Sequence, residues 1–326
     1  MQIFKTIFCT VAVAAFCVAP AAAQQKFPSR TIEIVVPSGA GGGQDTLVRL
    51  IQPMLEKDLG VAIRVSNVPG GAHTKGIMYV NNADADGHTI LCESPSGVIA
   101  DVFKKMPFRF TEGFVPLARF QADTGILWIG GKGRFKSVQE MIEFAKKNPG
   151  KVTVAIASPG GIDDAGVGSF AKAAGIKLAL VPVDSGGERM TSIIANHIDL
   201  MYEEASAVGD MVKSGHIKPL VILRDERIPT EELKNTPSAG ELGFKGLGSL
   251  GTWRGFAVKK GTPQPVVDRL VAAFKKVYDS PDYLKWTKEN ALDLTPGWMG
   301  PTEFGALWKE NLTMFHEVFV ELGRLK

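Results

Sequence analysis

The sequence predicts an α/β protein of two lobes, each a mainly parallel sheet flanked by helices, with a two-strand hinge between them. Three observations lead there. Short β-branched runs end repeatedly in Gly-rich segments and are followed by apolar residues at helical spacing, so strand, loop and helix alternate. Such alternation gives parallel strands joined by right-handed crossovers. The strand count, about nine, is high for one strongly twisted sheet, and two smaller sheets are more economical.

Thr31 to Pro37 (TIEIVVP) is the first strand and runs into Ser38-Gly39-Ala40-Gly41-Gly42-Gly43. Leu47, Leu50, Ile51, Met54 and Leu55 then recur on one helical face. Val61 to Val68 is a second strand, followed by the loop Pro69-Gly70-Gly71-Ala72, a short helix to Asn82, the turn Asp84-Ala85-Asp86-Gly87 and a third strand from His88 to Glu93. After Thr124 the pattern resumes with a strand at Ile126 to Gly130 and a helix opened by the capping-box sequence Ser137-Val138-Gln139-Glu140. Val152 to Ala157 leads into Ser158-Pro159-Gly160-Gly161, and Leu178 to Val183 into Asp184-Ser185-Gly186-Gly187. Strands at Ile198 to Tyr202 and Ile217 to Leu223 precede a polar, Pro-bearing surface loop from Arg224 to Pro237. Trp253 to Val258 is a last strand, and helices follow at Pro265 to Tyr278, after Pro281, and from Thr302 to Leu322. Residues 124–250 are expected to form a second lobe inserted into a first lobe made of 24–123 and 251–326. The chain then crosses between lobes near Asp123 and near Gly251.

Residues 1–23 have the parts of a secretory signal: Lys5, an apolar run from Ile7 to Ala19, and Ala21-Ala22-Ala23 before Gln24. The run is shorter than the about 20 apolar residues of a membrane span. Cleavage after Ala23 would leave a periplasmic chain from Gln24 with Cys92 as its one cysteine, so no intramolecular disulfide is expected and stability has to come from the core. A formal charge of +3 with scattered Lys and Arg carries no nucleic-acid footprint and favours a small-molecule partner.

The loops carry the chemistry. At the carboxyl end of a parallel strand the next helix turns its free N–H groups and positive dipole end into the crevice, where an anion can sit. Four Gly-rich loops of this kind occur, two per lobe. The first is not a dinucleotide loop, because Gln44 or Thr46 occupies the third glycine's place in either register. Phe135 likewise breaks any phosphate loop within Gly131 to Ser137. There is no G-x-S-x-G elbow and no H-E-x-x-H zinc motif, and no cofactor or metal is expected. Cys92 is expected to be buried and structural. His73, in the second loop, could hydrogen-bond an anion or stand exposed.

At these loops the sequence resembles the substrate-binding proteins of tripartite tricarboxylate transporters, the Bordetella uptake gene family. The resemblance rests on Pro37 to Asp45 against P-x-x-P-G-G-x-x-D, on Asn67-Val68-Pro69-Gly70-Gly71, Asp86-Gly87-His88-Thr89-Ile90, Lys147-Asn148-Pro149-Gly150-Lys151 and His197-Ile198-Asp199, and on Trp253 with Gly261-Thr262-Pro263. It implies a periplasmic binding protein fold, type II-like. The implied role is that of a receptor that captures a small organic carboxylate (a di- or tricarboxylate, aromatic acid or amino acid) and delivers it to a two-component membrane permease, as a monomer and without catalysis. The implied ligand contacts are Ser38, Gly39, Ala40, Gly41, Gly42, Asp45, Gly70, Gly71 and Ala72, with Asp45 better suited to bracing the loop than to meeting an anion.

To these we add His73, Ser94, Ser158, Gly161, Asp163, Asp164, Asp184, Ser185 and Glu203. The departures from the family pattern are Ser38 for a bulky aromatic, Ala40 for a proline, Asp163-Asp164-Ala165 for S-S-H, Val183-Asp184-Ser185 for Y-K-G, and Glu203-Glu204 for Asp-Asn. They make the second lobe's cleft face acidic. Those acids either meet an amine, amide or hydroxyl of the ligand or merely cap helices. Arg189 and Arg254 either neutralise them or clamp a second carboxylate. An exported hydrolase-like enzyme using His73, and a sensor coupled to a signalling receptor, are the alternatives.

Overall fold

The computed structural model describes residues 27–183, 185–290, 292 and 296–325. The secretory signal, Gln24 and Asp184 lie outside the described residues.

In chain order the first part holds β1 (Ile32–Val36), α1 (Gly43–Leu59), β2 (Ile63–Asn67), α2 (Thr74–Asn82), β3 (Thr89–Glu93), α3 (Pro95–Val102), α4 (Phe110–Gly113) and β4 (Phe114–Asp123). There follow β5 (Gly125–Gly130), α5 (Val138–Lys147), β6 (Thr153–Ile156), α6 (Ile162–Ala173), β7 (Ala179–Pro182), α7 (Gly186–Ile194), β8 (Leu200–Glu204), α8 (Gly209–Lys213) and β9 (Ile217–Ile222). The last part is β10 (Thr252–Lys259), α9 (Gln264–Tyr278), α10 (Pro281–Glu289) and α11 (Pro301–Glu321).

Two five-stranded sheets result, ordered β2-β1-β3-β10-β4 and β7-β6-β8-β5-β9. The orders are equivalent, with β6, β7 and β8 standing where β1, β2 and β3 stand. Each sheet is mixed: β1 pairs parallel with β2 and β3, while β10 runs antiparallel between β3 and β4. The second sheet repeats this around β6 and β5. The antiparallel pairs come from the strands by which the chain changes sheet, which have no crossover helix to make them parallel.

The reversal of strand order beside β1 and beside β6 creates a crevice at each sheet's carboxyl end. The two crevices open toward each other, because Asp123 at the end of β4 pairs with Thr252 at the start of β10, and β5 begins at Gly125.

The predicted helical face of α1 is the buried one, with Leu47, Ile51 and Leu55 at most 1% exposed against β1 and α9. Burying three such side chains contributes several kcal/mol, on the order of 2 kcal/mol each. Cys92 is free and fully buried in the same core. Ser137 caps α5 by accepting from the Glu140 amide at 3.2 Å, but Glu140 reaches back to the Lys136 amide, one residue earlier than a capping box would have it. The region between Glu93 and Thr124, read as no element from sequence, holds α3, α4 and β4. β4 contains Pro116 and bulges against β10, so neither alternation nor a clean apolar run marks it.

A single apolar cluster runs through both lobes. Val35 and Leu91 of the first sheet, Leu127 and Val154 of the second, and Phe315 and Phe319 of α11 all belong to it. The end of α11 crosses onto α6.

Candidate functional site

A cavity of about 380 Å³ lies between the carboxyl ends of the two sheets. Its first wall is made by residues 37–40, Gly42, Gly43, Gln44, residues 69–73, Ser94 and Ser96. α1 starts after Gly42 and α2 after His73, and neither helix has a side chain capping its first amides. At α1 those N–H groups and the dipole end are therefore available to an anion, whereas at α2 the Thr74 and Lys75 amides already donate to the Gly71 and Gly70 carbonyls at 3.3 Å and it is chiefly the dipole end that faces the cavity. Gly70, Gly71, Ala72 and His73 have φ of 126°, 60°, 49° and 75°, a left-handed run that two non-glycine residues adopt at a conformational cost. What holds it is in part the His73 ring, whose Nδ1 lies 2.7 Å from Glu93 Oε1. Glu93, itself 1% exposed, also accepts from the Ser94 amide at 2.8 Å.

The second wall is made by Ala157, Ser158, Gly161 to Asp163, Ser185, Gly186, Arg189 and Tyr202 to Glu204. Asp163 accepts from the Ala157 amide and is pushed up to about 6 by burial, against the pull of Arg189. Arg189 Nη2 meets Glu203 Oε2 at 2.6 Å, and its Nη1 donates to the Val183 carbonyl at 2.8 Å.

Arg254 of β10 lies where the walls join. It is 3.3 Å from Asp123 Oδ2, 3.3 Å from Glu204 Oε2 and 3.2 Å from Gln121 Oε1. A Cβ at position 43 would come within 2.1 Å of Arg254 Nη2, so only glycine lets α1 begin this close to the guanidinium. Burial raises Glu204 to about 8, helped by the Glu203 carboxylate and opposed by Arg254. Both arginines thus neutralise acids and are not left to clamp a second carboxylate.

Of the residues expected at the site, Ser38, Gly39, Ala40, Gly42, Gly70, Gly71, Ala72, His73, Ser94, Ser158, Gly161, Asp163, Ser185 and Glu203 line the cavity. Three do not. Gly41 is turned back, its amide donating to Asp45 Oδ2 at 2.9 Å. Asp45 faces away and also accepts from Asn67 Nδ2 at 3.0 Å and Arg49 Nε at 2.9 Å. Burial opposes its charge, but these bonds outweigh burial and hold the carboxyl below the usual range. Asp164 accepts from the Gly160 amide at 2.9 Å and pairs with Arg324 at 3.1 Å, away from the cavity.

Gln44, Ser96, Tyr202 and Thr252 line the cavity without having been singled out, and Glu93 supports it from behind. The one available signal was position, since Tyr202 closes the strand expected at Ile198 to Tyr202 and Ser96 follows the end of β3 by three residues. Among the described residues no group of three or more His, Cys, Asp or Glu is arranged to hold a metal ion.

Two lobes of equivalent topology closing on a cavity lined by Gly-rich helix starts define a two-lobed solute-binding protein. The tripartite tricarboxylate transporter family receptor model matches residues 47–301, and the chain belongs to that family, whose binding proteins are periplasmic. As a member it is a substrate-binding receptor.

A relative from Pseudomonas sp. (strain P51), the UPF0065 protein in the tcbD-tcbE intergenic region, is 28% identical over 90% of this chain and 87% of its own length. MatC of Rhodopseudomonas palustris, solved with bound malate, is 25% identical with a TM-score of 0.79 over 90% of this chain and 99% of its own. The periplasmic binding protein BugD is also 25% identical, with a TM-score of 0.80 over 91% and 99%. No helix among the described residues is long and apolar enough to cross a membrane.

Proposed function

We propose that the chain is a periplasmic receptor, exported by cleavage after Ala23, that encloses one small organic carboxylate and passes it as a monomer to a two-component membrane permease. The observation that carries this reading is the uncapped start of α1, whose first amides face the cavity beside the dipole end of α2. A volume of about 380 Å³ suits a small acid and is at the low end for organic ligands. MatC, at 25% identity, carries malate. We take residues 24–123 and 251–326 as one lobe and 124–250 as the other, with the ligand favouring the closed arrangement.

Binding without turnover is the reading for His73, because its ring is engaged by the Glu93 carboxylate and not by a nucleophile. A thermal-shift and native mass-spectrometry screen of organic acids and amino acids should give at least one stabilising, stoichiometric ligand. A folded chain that binds none of them contradicts the proposal. His73→Ala should weaken that ligand several-fold, and neither form should consume it. Consumption lost on His73→Ala would make the protein an enzyme.

A further inference from the structure

We propose that the second wall of the cavity is a subsite for a protonated nitrogen. The ligand is then a zwitterion whose carboxylate lies at the starts of α1 and α2 and whose ammonium reaches Glu204, the Tyr202 hydroxyl and Asp163. This rests on the receptor reading above and narrows its ligand to amino-bearing acids.

The first support is charge. Asp163, Glu203 and Glu204 line the cavity, Asp123 stands just behind Arg254, and all four are at least nine-tenths buried. Against them, on this side, stand two guanidiniums. Arg189 is committed to Glu203, and Arg254 is divided between Asp123 and Glu204. Asp163 is met by the Ala157 amide. Four carboxylates facing two cations leave negative charge in a place poor in water, which is costly unless a cation or protons arrive.

The second support does not depend on charge. Tyr202 is 4% exposed and lines the cavity, yet no described residue hydrogen-bonds its hydroxyl. The ring is packed away while the hydroxyl opens on the cavity, where a ligand or water is left to pair with it. A second carboxylate on the ligand would instead meet the Asp163 and Glu203 carboxylates beside Glu204, with both guanidiniums already engaged.

Before a cationic ligand arrives, burial and the Glu203 carboxylate keep a proton on Glu204 at neutral pH, while Asp123 adds to this and Arg254 opposes it. An arriving ammonium favours the carboxylate form. The Glu204 proton then passes to the buffer, and no covalent bond changes.

The test is calorimetry on matched pairs: glutarate against 5-aminopentanoate, succinate against 4-aminobutyrate, and 3-phenylpropionate against phenylalanine. In at least one pair the amine-bearing member should bind about tenfold tighter or better, as a charge-assisted hydrogen bond implies. Heats measured at pH 7 in buffers of different ionisation enthalpy should show a proton released on binding. Glu204→Gln should reduce the preference within that pair, and Tyr202→Phe, which removes one oxygen and tests the same wall if the first variant folds poorly, should reduce it less.

The inference is overturned if the amine-free acid binds tighter in every pair that binds, if neither variant changes the preference, or if di- and tricarboxylates bind while no amine does. In each of those cases the receptor reading stands. A folded chain that binds no acid of either kind removes both.

Discussion

The two walls of the cavity are built on the same plan and differ in charge, with backbone amides on the first and carboxylates on the second. β1, β2 and β3 of one sheet correspond to β6, β7 and β8 of the other, and each set ends in loops that open helices toward the cavity. On the first wall the acid in the first turn of α1, Asp45, is folded back onto Gly41, Asn67 and Arg49, leaving bare amides. On the second wall α6 also starts without a side-chain cap, but Asp163 keeps its carboxylate in the cavity and β8 ends in Glu203 and Glu204. Topology decides where a site can form, and a few side chains decide the sign of what it holds.

The comparison breaks most sharply at Arg254, the cation between the walls. Arg254→Met leaves Asp123 and Glu204 buried without it and should cost about 3–5 kcal/mol of stability, as removing one partner of a buried ion pair does. Thermal or urea unfolding measures this, and a loss under 1 kcal/mol would mean that Arg254 is not what holds these acids together.

Next comes Gly42→Asp. Gly42 has φ −80° and room for a Cβ, 3.5 Å from the Gly39 carbonyl oxygen, so the backbone should tolerate the change. The added carboxylate faces the anion and should weaken binding about a hundredfold without unfolding the chain. Unchanged affinity would mean that the ligand's carboxylate does not sit at the start of α1.

The smallest expected effect is on pH dependence. Asp163 rises from 3.8 to about 6 and Glu204 from 4.5 to about 8, so the folded chain holds protons that the unfolded chain has already lost. Stability of the ligand-free protein should therefore fall as pH rises through that window and level off above it. Asp45, Asp58 and Asp86 are lowered, so their contribution is present above pH 3.8 and is lost below it. Melting temperature should peak near pH 5 and drop by a few degrees toward pH 8.5, with Glu204→Gln flattening the upper part. A profile that climbs from pH 5 to 8.5 would contradict the acidic second wall.

Much of this was legible in the residues. The strand, glycine loop and helix units fell where the spacing put them, and the acidity of the second wall showed in Asp163, Glu203 and Glu204. What was not legible depended on direction and partners. Asp163 and Asp164 are neighbours on a helix, about 100° apart, so one enters the cavity while the other meets Arg324, and only the packed helix tells them apart. The mixed character of the sheets depended on β4, which Pro116 and two bulges hide, and on where β10 inserts. Arg254 could be suspected of balancing acids, but its place against Gly43 follows from a strand order that no local pattern encodes.

The far end of α11 adds a mechanical consequence. Two neighbouring strand crossings, near Asp123 and Thr252, define an axis about which two bodies can swing. The end of α11 and the residues just after it add another attachment: Lys172 pairs with Glu321, Leu322 packs at Gly168 and Arg324 holds Asp164. Lys172 lies nine residues beyond Asp163 on α6, about 14 Å along that helix. Two points on a line leave a rotation free, and one held away from that line removes it. The angle between the lobes is thus fixed by the C-terminal residues as well as by the hinge, and any wider opening has to slide α6 over α11 or release its grip.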